Sequence, residues 1–509
     1  MKSLPIKRCF RFFSLARFHR LAVSGAISAV LIGWAVAPAA AQPMGIPSMG
    51  LASASELAPE VERTLGDAIM EQGRRDPTYI GDPDVLQYLT DMGRKLASHA
   101  DTTAERINVF ALRDPQINAF ALPGGYIGIN SGLVVAARSE SELASVVAHE
   151  IAHVLQRHIA RGMTQRAQTN HAMMAALAGA LLAALSGSPD LVMGVAAFGQ
   201  AAAVDRQLGF SRQAEQEADR VGLTMMTRAG YDPAGMARMF ELLSNASRLN
   251  QGTGGNAYTS THPLSVQRMS DAQNRTLRAE RRPDISSDAF WYVRAKLRIE
   301  QARAGQALRS AEDQLRADAR QAQGVQRSAA WYGLAYSAWK RRDLDQATEA
   351  LEQARAQGQS SAQISGLEVA IALARGDTEA AVSLGRQAAA RWPGSQGVAL
   401  AQVEALQGAG RYEEAIDVLK ARIQQWPEVP RLWQLLAQSQ ERLGLRAEAR
   451  QSMAHFYELT GALPAAVEQL QQARAMTRDF YEQSALDVRI RELKNRLTTE
   501  RALLERFKS

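Results

Sequence analysis

Two histidines four residues apart with a glutamate directly after the first, His149-Glu150-Ile151-Ala152-His153, form the pattern in this chain that most directly implies chemistry. Residues four apart on a helix differ by about 40° in direction and are neighbours on one face, so both imidazoles can reach a single ion. Such a pair binds zinc. Glu150, one residue on, stands beside that face and is placed to take a proton from an attacking water. The five-residue pattern arises by chance often enough that the surrounding chain has to support it.

The extended form of the motif is absent, since Gln156 stands where a glycine is required and Ile159 where a third histidine is required. The third ligand must come from elsewhere. His158, five residues past His153, lies about 140° away around a continuing helix and is expected at the surface. Downstream, Glu215-Gln216-Glu217-Ala218-Asp219 reads as helical. Glu215 is the candidate third ligand, and Asp219, one turn later on the same face, is the candidate acceptor for a hydrogen bond from a ligand histidine. Glu217, at a different angle, is expected to face solvent. Ahead of the motif, Asn118, Ala119 and Phe120 lie in a segment that can supply an edge strand, which binds an extended peptide through main-chain hydrogen bonds.

These groups need elements to hold them. Ser139 and Glu142 make a capping box, and Leu143, Val146, Val147, Ile151 and Val154 share one face, which predicts a helix from Ser139 to about Ile159. The pattern from Ser55 to Ala100 is helical. Ile107 to Leu112 and Ile117 to Leu122 read as strands, and Pro123-Gly124-Gly125 turns into Tyr126 to Asn130, predicting a small antiparallel sheet. A second helix is expected from Ser211 to Ala229, then a Gly/Ser/Thr/Asn-rich loop from Asn250 to Thr261. Between 172 and 204 lie two Ala-rich apolar stretches, each shorter than the roughly 20 residues a bilayer span requires. They read as a buried hairpin or as an element touching a membrane surface.

The N-terminus carries six basic residues and no acidic one, then an apolar run from Leu21 to Ala37 and Ala39-Ala40-Ala41, the pattern of a secretory signal peptide over 1–41. Without it the 59 basic residues fall to 53 against 52 acidic, so the mature charge is near +1 and nucleic acid is not implied. The single cysteine, Cys9, leaves with the signal, so the mature chain has no thiol chemistry. The expected location is the periplasm.

A composition shift near Arg282-Pro283 ends the metal-binding domain, taken as 42–283. Beyond it Arg342, Gly376, Gly410 and Gly444 recur every 34 residues, as do Ala347, Ala381, Ala415 and Ala449, and Trp392-Pro393 repeats at Trp426-Pro427. That period predicts tetratricopeptide-like repeats over 284–480, with a C-terminal helix over 481–509. The fold class is therefore mainly α, a helical HExxH zincin domain with its small sheet followed by an α-solenoid. Such a stack presents a concave surface to peptides or partner proteins.

Taken together, Asn118-Ala119-Phe120, Pro123-Gly124-Gly125, Glu142-Leu143-Ala144, His149-Glu150-x-x-His153 and Ser211-Arg212 ahead of Glu215-x-x-Ala218-Asp219 resemble the peptidase family of CAAX prenyl proteases and bacterial HtpX-type proteases. The resemblance spans about Glu56 to Asn274. A signal peptide and C-terminal repeats resemble its periplasmic branch. It implies one Zn2+ per chain on His149, His153 and Glu215, with Glu150 as catalytic base. It also implies proteolysis of misassembled outer-membrane proteins, a chaperone role in their assembly, and contact of the repeats with the barrel assembly machinery. His262, in Ser260-Thr261-His262-Pro263, matches a histidine of that branch. It is open between a fourth ligand that keeps the enzyme latent, a donor to the oxyanion, and a solvent-facing loop residue. The alternative function is a repeat-based chaperone or scaffold with a latent or structural zinc site, against which Glu150 speaks, because a structural site needs no base.

Overall fold

The computed structural model describes residues 58–506 save 103–105, 166–209, 250–256, 280–281, 303 and 359. The signal peptide, its cleavage point and the apolar stretches between 172 and 204 lie outside the described residues.

Strands β1 (Asn108–Leu112), β2 (Ala119–Leu122) and β3 (Tyr126–Asn130) form one sheet in the order β1-β3-β2. The expectation of an antiparallel sheet is corrected here. β2 and β3 are an antiparallel hairpin, but β1 runs parallel to β3, with Val109 opposite Ile127 and Ala111 opposite Ile129. The chain leaving β1 passes across β3 before the hairpin forms, and short apolar runs carry no record of that order. Both faces are covered. Phe110, Leu112, Phe120, Leu122 and Tyr126 pack on Leu65 and Ile69 of helix α1 (Pro59–Gly73). Val109, Ala111, Ala119, Ile127 and Ile129 pack into the main core with Leu89 of α2 (Pro83–Ala97) and Val147 of α4 (Glu140–Leu155), which follows the short α3 (Ser131–Ala136).

Helix α4 is buried along nearly its whole length. Ser139 Oγ accepts from Glu142 N–H, the cap the sequence predicts, while the Glu142 carboxylate accepts from the Arg138 N–H, one residue earlier than a capping box would have it. The helix stops at Leu155 and does not run on to Ile159. Arg157 takes φ 51°, and a new helix, α5 (His158–Gln165), starts in another direction. Then come α6 (Arg212–Arg228), capped by Ser211, α7 (Ala234–Leu249), α8 (Ala257–Thr261) and α9 (Val266–Arg278). The last five residues of the predicted loop are thus helical.

Helix α10 (Asp288–Gln301) belongs to both halves of the molecule. Its Phe290, Val293 and Leu297 enter the core around α4, while Tyr292, Ala295 and Ile299 enter the first repeat core. Four helix pairs between residues 324 and 459 follow the 34-residue period, and α11 (Gly305–Gln321) precedes them. The repeated column is the left-handed residue between paired helices: Gly376, Gly410 and Gly444 have φ 86°, 73° and 78°, and Arg342 takes φ 65° in the same place. The alanine column is buried at the helix contacts. Two closing helices, Leu463–Met476 and Phe480–Arg506, complete the array. None of the helices among the described residues is long and apolar enough to cross a membrane.

Candidate metal centre

Four buried side chains converge where α4, α6 and the segment after α8 meet. His149 and His153 bring their Nε2 atoms to 2.9 Å from each other. Glu215 Oε2 is 3.5 Å from His149 Nε2, and Glu215 Oε1 is 3.4 Å from His153 Nε2. His262 Nδ1 lies 3.0 Å from Glu215 Oε1 and 3.4 Å from His149 Nε2. A tetrahedral ion with bonds of about 2.0–2.1 Å spaces its donors about 3.4 Å apart, which these separations approximate. The donor set of imidazoles and a carboxylate suits a zinc-type ion. Glu150 fits as well: both its carboxylate oxygens are buried and accept no hydrogen bond among the described residues, with His262 Nε2 3.5 Å from Oε1.

The helix contact that makes this possible is close. At Gly222 on α6 an added Cβ would stand 3.1 Å from His149 N and 3.1 Å from Ala148 C. Gly222 lies seven residues after Glu215 and three after Asp219, so the glycine lets their shared face approach α4.

Behind the donors stand the groups that hold them. Asp219 Oδ1 is 3.0 Å from His149 Nδ1. Arg268, on α9, grips Asp219 with two bonds of 2.7 and 2.8 Å and reaches Glu215 Oε2 at 2.6 Å. Burial alone would raise the Asp219 carboxyl, but Arg268 and His149 hold it below the usual range. Burial likewise works against charge on His149, yet Asp219 and Glu215 outweigh it and lift its pKa to about 9. His153 goes the other way, because burial keeps it neutral.

Arg268 is the functional neighbour that sequence reasoning misses. A buried aspartate demands a cation, but nothing local says which of the chain's many basic residues answers it. Two further aromatic neighbours are equally nonlocal. Phe210 stacks on His153 at 3.9 Å and on His262 at 5.5 Å, and Tyr258 stacks on His262 at 4.6 Å.

Two expectations are overturned. His158 is not a surface residue: it is 2% exposed, and its Nδ1 lies 2.9 Å from His153 Nδ1. The angular argument assumed a continuing helix, and the break at Arg157 turns the ring inward. Burial pushes its pKa down to about 4, against the pull of Glu217. Glu217 in turn is only partly solvent-facing, with its side chain 34% exposed and Oε2 3.3 Å from His158 Nε2 and 3.3 Å from Arg161 Nη1. His262, open in the sequence, is fully buried, which removes the solvent-facing reading. Asn118, Ala119 and Phe120 are buried at or beside β2, an edge strand paired on one side with β3.

Residues 83–276 match the model of peptidase family M48, and 372–439 match that of a tetratricopeptide repeat. The beta-barrel assembly-enhancing protease of Escherichia coli (strain K12) is 32% identical over 497 residues, covering 96% of this chain and 97% of that protein. The chain belongs to peptidase family M48. Other relatives align in part: the mitochondrial metalloendopeptidase OMA1 of Arabidopsis thaliana is 35% identical over 163 residues, 31% of this chain and 30% of its own. The metalloprotease LoiP of Escherichia coli (strain K12) is 28% identical over 260 residues, 49% of this chain and 96% of its own. An M48 metallopeptidase is a hydrolase, and here the peptidase fold carries tetratricopeptide repeats.

Proposed function

We propose that this chain is a zinc-dependent endopeptidase of the periplasm that hydrolyses misfolded or misassembled outer-membrane proteins and assists their assembly. The observation that carries the catalytic part is the set of His149, His153 and Glu215 donors with the unbonded Glu150 carboxylate beside them. One Zn2+ ion held there would polarise the scissile carbonyl and acidify water. Glu150 takes the proton of the attacking water and returns it to the leaving amine. Asp219 and Arg268 keep His149 and Glu215 in place while this happens. On this reading the edge of β2, from Asn118 through Phe120, aligns the substrate chain by main-chain bonds.

The location and clients draw support from the likeness over 96% of the chain to a protease named for beta-barrel assembly, and from the leader-like sequence pattern expected over 1–41. On this reading the repeats recruit clients and contact the barrel assembly machinery, and a membrane surface is a further contact. A second reading, a repeat-based scaffold with a latent zinc site, gains weight from His262, which sits at donor distance in the fourth position. The two part at Glu150. Glu150→Gln should retain zinc by metal analysis and lose roughly 10²- to 10⁴-fold in digestion of a casein-type substrate. Wild-type turnover in the zinc-loaded variant would overturn the peptidase mechanism.

A further inference from the structure

We propose that His158 is a positioning residue that fixes His153 for metal binding through a relay ending on Glu217. This rests on the zinc reading above, and the donor geometry forces each of its links. His153 turns Nε2 toward His149 and Glu215, so as a neutral ligand it must carry its proton on Nδ1. That Nδ1–H has His158 Nδ1 at 2.9 Å, which must therefore accept. His158 is left with its proton on Nε2, which faces Glu217 Oε2 at 3.3 Å and donates to it. Arg161 Nη1, 3.3 Å from the same oxygen, also donates to it.

The arrangement parallels the one behind His149, whose Nδ1 meets Asp219 while Asp219 meets Arg268. Each ligand histidine is thus backed by a carboxylate and a guanidinium, directly in one case and through an extra imidazole in the other. A hydrogen bond at the far nitrogen orients a ligand ring and raises its basicity, and loss of such a partner typically weakens metal binding by about 10- to 100-fold. The His149 side of this support is buried, but the His153 side ends on the partly exposed Glu217. The break at Arg157 acquires a reason, since only a chain that leaves the α4 axis can bring His158 under His153.

The test is zinc affinity of the full mature chain, measured by competition with a chromophoric chelator, beside the melting temperature of each metal-free protein. His158→Phe, which fills the space without an acceptor, should weaken zinc binding by about 10- to 100-fold. His158→Asn, whose side-chain oxygen can still accept from His153 Nδ1, should recover most of that loss. Glu217→Ala should weaken binding several-fold with an unchanged melting temperature, and it serves where His158→Phe does not fold. Equal losses in His158→Phe and His158→Asn, or wild-type affinity in Glu217→Ala, would overturn the relay while leaving the zinc site intact. A wild-type chain that binds no zinc would instead overturn the zinc reading itself.

Discussion

His262 is stacked by two aromatic rings, Phe210 and Tyr258, with Nδ1 turned to Glu215 and His149. On the zinc reading proposed above, a group so confined would occupy the fourth donor position and keep water from it. His262→Ala is therefore expected to raise digestion rates at unchanged zinc content. A fall of about 10²- to 10³-fold would instead assign it the oxyanion, and an unchanged rate would leave it without a catalytic part. The two histidines and Glu150 were legible at this scale because one helix holds them. Arg268 and His158 were not, because their partners lie on other helices or beyond a break.

Gly222 shows how much of the centre depends on the distance between α4 and α6. A side chain there meets the backbone of Ala148 and His149, atoms that cannot rotate away. Gly222→Val should push Glu215 and Asp219 off the histidines, lowering zinc affinity and costing about 1–3 kcal/mol by overpacking. Gly366, in the helix Ala362–Arg375 with nothing within 4 Å of an added Cβ, is the contrast. Gly366→Ala should stabilise by about 0.5–1 kcal/mol, since alanine forms helix better than glycine. Chemical denaturation and zinc titration of the two variants check both expectations, and a Gly222→Val protein as stable and as tight for zinc as wild type would refute the packing argument.

Among the described residues the peptidase fold and the repeats meet at several places, Gln87 of α2 bonding Gly394 and Gln396 of the repeats at one of them. Helix α10 lends a face to each core, its buried Lys296 pairs with Asp82 and Asp84 at the start of α2 at 2.7 Å each, and the C-terminal helix returns to α1. There Leu497 packs by Leu65 and Ile69, and Arg496 pairs with the buried Glu71. Burial outweighs Arg496 and lifts the Glu71 pKa to about 7. With a folded pKa above the unfolded one, the contribution of Glu71 is fully present below about pH 4.5 and is lost as pH rises through about 7. Relative to Glu71→Gln, the wild type should therefore lose melting temperature between about pH 5 and about pH 8. A gap between the two proteins that stays constant over that range would exclude the effect.

Sequence by itself determined what depends on near neighbours along the chain. The i, i+4 histidines, the Ser139 and Ser211 caps and the left-handed column at Gly376, Gly410 and Gly444 are each set by residues within a turn or two. Tertiary structure alone decided the rest. The parallel pairing of β1 with β3 depends on which strand reaches β3 from the far side, and apolar strands buried on both faces carry no such label. Helix α4 stops at Leu155 with neither glycine nor proline to announce it. Its end is matched by His158 finding His153 and Glu217, and bonds between separate helices leave no periodicity to read.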